Sequence, residues 1–399
     1  MWATAPEPAP SEAPGRDPVL EPLESESPVN VSVMQENLAR GLSIVSRAVS
    51  TRSTLPVLSN VLIRTEDAGL KLTATNLEIG ITHWVPGKIE KDGAITVPAR
   101  LLTDIVAGLP SSEKVELELQ AGDTLRIRCG RFESHVKGID AEEFPAIPTA
   151  GERPTTRISQ KVLKQALTET TFAAASDEAR PILTGVLWKF EGDQLTLAAA
   201  DNYRIAVKTL PILDPVEETS LVVPARALTE LSRVLNDTDD PVEVMLAPAR
   251  NQVLFHLEGI DLVSRLIDGQ FPNYQQVLPK GHTTRTVVDR EELFKAVRLA
   301  ALIANAAANI VKLQVSPDGG GVVVTAAAEV GDNEGLVEAT VEGDGTTIAF
   351  NSRYLSDVLE KVVAEQFALE LNGPLSPGVF RPIGDDTYTH VVMPVRTTS

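Results

Sequence analysis

The chain has 399 residues, a formal charge of −19, 43% apolar residues and one cysteine, Cys129. That length holds two or three domains, a single cysteine leaves neither an intramolecular disulfide nor a thiolate metal cluster, and the overall acidity speaks against a uniformly cationic surface for nucleic acid. No apolar run approaches a membrane span and no basic, then apolar, leader opens the chain, so a reducing cytoplasm is the expected location.

Residues 1–28 carry seven prolines and six acids against Arg16 alone. So little apolar surface cannot offset the entropy of ordering, and a disordered tail is expected there. From Val29 the pattern changes. Alternating Val29, Val31 and Val33 predict a strand, and Leu38, Leu42 and Val45 share one face of a predicted helix over 35–49. Strands are expected at 57–65, 70–85 and 94–99, with turn signals at Asp67 to Gly69 and Asp92-Gly93. Pro98 opens a second helix to Leu109, where its missing amide proton does no harm. Alternating runs at 114–120, 124–129 and 133–139 complete the unit, and Glu142 to Pro148 (EEFPAIP) closes it.

The order then repeats. Residues 160–174 form a helix, PILTGVLW matches LPVLSNVLI, LTLAAADNYRIAV matches LTATNLEIGIT, a helix spans 224–235, three strands follow, and GQFPNYQQVLP (269–279) closes the second unit. The third contains helices at 290–304 and 353–363 and ends in THVVMPVR. The segments TVPARLLTDIVAGLP, VVPARALTELSRVLND and AFNSRYLSDVLEKVV place Arg100, Arg226 and Arg353 126 and 127 residues apart. A period this long is that of whole domains, not of a solenoid. Three copies of one α+β domain are expected, each an antiparallel sheet with two helices on one face, over 29–150, 151–282 and 283–399.

The six predicted helices together carry +4, leaving −23 for the remainder. Lysines and arginines on wet helix faces would produce such a difference, and so would six helices turned toward a common polyanion; the recurrence of a basic residue at one place in every second helix favours the latter. Catalytic motifs are lacking. Nothing matches a phosphate-binding loop, Gly319 to Gly321 reads as a hairpin turn, and His83, His135, His256, His282 and His390 show no ligand spacing, so neither metal nor cofactor is expected. Residue chemistry alone leaves open a peptide-binding scaffold that never encloses DNA, or a hydrolase assembled by the fold.

Four runs carry a resemblance: TLPVLSNVLI (54–63), TVPAR (96–100), DGQFPNYQQVLPK (268–280) and VVMPVR (391–396). In this order and spacing they resemble the bacterial sliding clamp, the beta subunit of the DNA polymerase III holoenzyme, over residues 29–396. The resemblance implies a processivity factor without catalysis, a head-to-tail homodimer whose ring encircles duplex DNA. Twelve helices at roughly 10 Å spacing give a circle about 38 Å across, which admits a duplex after about 10 Å is subtracted for helix width.

The DNA-facing residues implied are Arg40, Arg47, Arg52, Arg100, Lys161, Lys164, Arg180, Arg226, Arg233, Lys295, Arg298 and Arg353. Asp177, Pro181 and Ile182 stand where relatives can have Gln and two Tyr, and 299–311 lacks a basic residue. The implied dimer edges are Phe132, Ser134 and Val136 on one side and Leu302 and Ile303 on the other. A hydrophobic groove for short peptides, typically Gln followed by Leu and Phe, is implied at Leu183, Ala200, Asn202, Tyr203, Arg204, Ile205, Pro279, Val391 and Met393. Its implied visitors are the polymerase III catalytic subunit, the clamp loader and other proteins with that motif. Ala200, Asn202 and Tyr203 replace the family's frequent Thr, Gly and His, so a bulkier pocket is expected.

Overall fold

The structure is a computed structural model and describes residues 29–50, 55–66, 69–148, 153–177, 179–247 and 251–397. The tail expected at 1–28, and Arg52, lie outside the described residues.

Six α-helices punctuate the chain in pairs: α1 (Gln35–Val45), α2 (Ala99–Gly108), α3 (Gln160–Thr170), α4 (Ala225–Val234), α5 (Arg290–Ala304) and α6 (Ser352–Lys361). Each is amphipathic and buries the residues at helical spacing. Leu38, Leu42 and Val45 of α1, Leu163 and Leu167 of α3, and Leu355, Val358 and Leu359 of α6 are fully buried. The first and third helices end sooner than their apolar pattern, because Ser46–Ala48 and Thr171–Ala173 tighten into 3-10 turns. Pro98 and Pro224 take the cap position ahead of α2 and α4, while Ser159, Asp289 and Asn351 cap α3, α5 and α6 by accepting a backbone N–H.

Every strand pairing between named strands is antiparallel, and the strands merge into two sheets, of twelve and ten strands, that run through the boundaries between repeats. Ile260–Arg265 of the second repeat pairs with the start of Ile79–Lys91 in the first, from Ile260 opposite His83 to Ser264 opposite Ile79. Tyr388–Val392 of the third repeat pairs with the start of Arg204–Pro224 in the second, from Tyr388 opposite Lys208 to Val392 opposite Arg204.

Two strand expectations are corrected. Val57 to Ser59 and Pro181 to Thr184 are 3-10 turns, each started by a proline whose fixed φ suits a turn and whose missing N–H cannot join a ladder. The long run expected at 70–85 is two strands, Gly69–Thr75 and Ile79–Lys91. The Asn76 side chain accepts the backbone N–H of Glu78 and Ile79 at 3.0 and 2.8 Å and turns the chain. Asp201 does the same for Tyr203 and Arg204 at 2.7 and 2.9 Å.

The helices lie side by side. Members of each pair touch, and α3 touches α6. Arg47, just past α1, reaches Glu230 of α4 at 3.5 Å. The sequence of neighbours is therefore α2, α1, α4, α3, α6, α5, one layer of helices spanning all three repeats.

Candidate peptide groove, ring edges and basic helix layer

A cavity of about 260 Å3 opens at the junction of the second and third repeats. Its apolar walls come from Leu183 in a proline-started turn, Ala200 and Ile205 on either side of the Asp201 turn, and Val391 and Met393 at the chain's last strand. Leu183, Ala200, Ile205 and Val391 are buried, and Met393 is 37% exposed at the mouth. The Met393 N–H donates to Tyr203 O at 2.7 Å and so fixes the mouth against the Asp201 turn. Asn202 and Arg180 stand at the rim, where Arg180 Nη1 donates to Asn202 Oδ1 at 3.2 Å. Arg180, expected to face DNA, thus borders the groove.

Two expected groove residues lie elsewhere. Tyr203 is turned out, 55% exposed, and stacks on Tyr354 with ring centroids 5.9 Å apart, so the bulk expected from it is not in the pocket. Pro279 does not line the cavity; Phe271, Pro272, Asn273, Tyr274 and Val277 of the same segment do. The QFPNYQQV stretch stands out in the sequence as a closing motif, but that Phe271 and Tyr274 are buried against the groove is seen only in the structure.

Beneath the groove Arg204 is a fastener. Its guanidinium donates to Asp201 Oδ2 at 3.1 Å and Phe172 O at 2.8 Å, reaches Asp357 on α6, and lies 4.6 Å from the Tyr354 ring centroid. Burial, followed by the charge of Asp201, pushes the Tyr354 hydroxyl up in pKa. Next to it Lys208 lies between Glu169 at 3.0 Å and Asp385 at 2.6 Å. Burial works to raise Asp385, but hydrogen bonds from Lys208 and Thr387 outweigh it and hold the carboxyl below its usual value. His390 is enclosed by Phe172, Phe380 and Tyr388, and burial, followed by the charge of Arg204, lowers its pKa to about 3.

The two expected dimer edges stand apart in one chain. Phe132–Lys137 ends the larger sheet and pairs only with Thr124–Cys129 among the described residues. The three share one face of the strand, along which Phe132 is half exposed, Ser134 partly so and Val136 buried in its own domain. Leu302 is 70% exposed near exposed Leu299, while Ile303 packs partly on the core.

Of the basic residues expected to face DNA, Arg40, Lys161, Arg226, Arg298 and Arg353 are exposed and form no ion pair within 4 Å among the described residues. Arg47 pairs with Glu230, Arg100 lies 4.0 Å from Asp104, Lys164 pairs with Asp237, Arg233 with Glu230, and Lys295 with Glu291 and Glu292. The helix layer is thus mildly, not strongly, cationic. Among the described residues no group of three His, Cys, Asp or Glu could hold a metal ion, and no helix is long and apolar enough to cross a membrane.

Comparison with known proteins gives the arrangement a family. The models of the DNA polymerase III beta subunit match in three parts: N-terminal domain at residues 29–148, central domain at 157–273 and C-terminal domain at 275–396. The beta sliding clamp of Synechococcus elongatus is 36% identical over 372 residues, covering 92% of this chain and 98% of its own length. That of Staphylococcus aureus is 30% identical, covering 88% and 95%. Among solved structures, the DNA polymerase sliding clamp of Bacillus subtilis aligns with a TM-score of 0.88 at 30% identity over 93% of this chain and all of its own. A sliding clamp of Pseudomonas aeruginosa bound to griselimycin aligns at 0.86 with 30% identity over the same shares. The chain belongs to the DNA polymerase III beta subunit family, the bacterial sliding clamps.

Proposed function

We propose that two copies of this chain close head to tail into a ring that encircles duplex DNA in the cytoplasm, holding the polymerase III catalytic subunit, the clamp loader and other motif-bearing proteins at the groove. The family is a processivity factor and not a catalyst. The observation that carries the ring is the register of the internal junctions. Twice, a repeat's last strand pairs with the strand that follows the Asx-type turn of its neighbour, over five residues and in the same alignment. In the third repeat the corresponding strand is Gly331–Gly343, whose first five residues pair on one side only, with Gly321–Ala328. Phe132–Lys137 occupies the position of Ile260–Arg265, since Cys129 opposite Phe132 matches Leu257 opposite Ile260.

Each chain therefore has one donor edge and one acceptor edge left over. These are different surfaces, and a heterologous contact of this kind closes only into a ring or continues as a filament. Repeating the internal register sets Phe132 opposite Gly335, Ser134 opposite Asn333 and His135 opposite Asp332 of the partner. Exposed Leu299, Leu302, Val330 and Leu336 would be covered there. An unpaired edge of this sort is otherwise an aggregation hazard.

Held by enclosure, DNA needs little adhesion. The unpaired arginines and lysines of the helix layer attract phosphate, while the paired ones limit the number of fixed contacts and so the friction of sliding. The groove supplies apolar burial for a Leu and an aromatic side chain, the usual source of affinity in such slots.

The register is tested by introducing Ser134→Cys and Asn333→Cys together. Directly opposed residues of antiparallel strands stand about 4.5–5.5 Å apart, within disulfide reach. Oxidation should give a covalent dimer carrying two crosslinks; a ladder of higher oligomers, or no crosslink in a chain that remains folded, would contradict it.

A further inference from the structure

The groove has a counterpart at the junction of the first two repeats. There Leu58 stands at the place of Leu183, Thr75 at that of Ala200, Gly80 at that of Ile205, and Val263 at that of Val391, as the matched turns and registers require. The closing segments correspond as well, Phe144-Pro145-Ala146-Ile147 to Phe271-Pro272-Asn273-Tyr274. A cavity exists at this junction too, between Thr75, Ile79, Gly80, Ile147 and Val263, but its volume is about 80 Å3 against about 260 Å3 at the second junction.

The difference has a visible cause. Ile147 packs against both small apolar clusters of this junction, Val57, Leu58 and Phe144 on one side and Met245, Leu254 and Val263 on the other. It can enter because the wall residue is glycine. A Cβ at Gly80 would stand 3.0 Å from Ile147 Cγ2 and 3.2 Å from its Cδ1. In the open groove the same wall position carries Ile205, and the segment residue is Tyr274, which lines the side of the cavity. The first repeat has exchanged wall for plug.

We infer that this junction is a second groove of the same build, kept shut by the chain's own Ile147, and that the ligand it takes once vacated is a short extended peptide bearing a bulky aliphatic side chain. The occupant already present defines that class, an aliphatic side chain delivered by an extended segment between Pro145 and Pro148. The inference rests on the reading of the second junction as a peptide groove, and it explains why one chain would offer one docking place in spite of three similar repeats.

The test counts sites by titration calorimetry with a hexapeptide containing Gln, Leu and Phe in that order, on the wild-type chain and on Ile147→Gly and Ile147→Ser. One site per chain in the wild type and two in either variant are expected, and adding Ile205→Ala and Met393→Ala to the variant should remove only one of them. A single site in a variant that keeps the wild-type melting profile would overturn the inference. If both variants melt early, a photoreactive form of the peptide at saturation on the milder Ile147→Ala decides: adducts at Leu77 or Arg265 that the wild-type chain lacks support it, and adducts confined to the Val391 side, as in the wild type, overturn it. Absence of binding to a folded wild-type chain would count against the groove at the second junction. The variants are then scored alone, with a new site supporting the second groove and none overturning it.

Discussion

Arg204 reaches from the strand of one repeat to Asp357 on α6 of the next, with its guanidinium 4.6 Å from the Tyr354 ring centroid. One side chain thus ties the floor of the groove to the helix layer. Asp357 is 38% exposed, so the pair is worth less than a fully buried one. Arg204→Ala should destabilise the chain by about 2 kcal/mol in urea unfolding and weaken peptide binding with it. Arg204→Lys should rescue little, because an ammonium can neither fork between three acceptors nor stack flat on tyrosine.

Lys208 is a stronger case. It is 7% exposed and its partner Glu169 only 1%. Removing the cation by Lys208→Met should cost about 3–5 kcal/mol, since buried Glu169 keeps the hydrogen bond from Gln165 but loses its counter-charge. Adding Glu169→Gln should recover much of that loss, and a double-mutant cycle by chemical denaturation measures the coupling. Additive effects would show that the pair does not act as a unit.

His390 gives the stability a pH dependence. Its folded pKa of about 3 lies below the ordinary 6.5, so between these values the unfolded chain binds the extra proton. The contribution of the neutral ring is fully present above pH 6.5 and is lost as pH falls toward 3. Comparing melting temperatures from pH 7 to 4, His390→Gln should show a shallower decline than the wild type. Equal slopes would mean that the ring is not held neutral by burial.

In the groove, Ile205→Ala with Met393→Ala should reduce peptide affinity by about tenfold to a hundredfold, roughly 1.4–2.8 kcal/mol. The proposed dimer, whose edges these residues do not border, should keep its sedimentation coefficient. An unchanged affinity would remove the groove assignment.

Much of this was legible in the sequence because apolar period and repetition act locally. The buried face of the first helix, the approximate positions of the other five and the triplication follow from spacing, and Leu183, Ile205 and Val391 follow from the motif resemblance. The turns at Val57 and Pro181 were not legible, since apolar residues before a strand read the same whether the chain is extended or coiled in a 3-10 turn. Asn76 and Asp201 were hidden for a similar reason: an Asx turn interrupts an alternating run without disturbing its composition. The contribution of Phe271 and Tyr274, the departure of Tyr203 toward Tyr354, and the filling of a second slot by Ile147 depend on side chains distant in sequence. Only the assembled fold brings those together.

Above all, DNA is held by being enclosed. The direct measurement loads the chain with a clamp loader onto nicked circular plasmid, isolates the complex by gel filtration, and then linearises the plasmid with a single restriction cut. Enclosure predicts that the protein coelutes with the circle and is released after the cut. Retention on the linear molecule, at the same level as on the circle, would mean that the chain adheres to DNA instead of surrounding it.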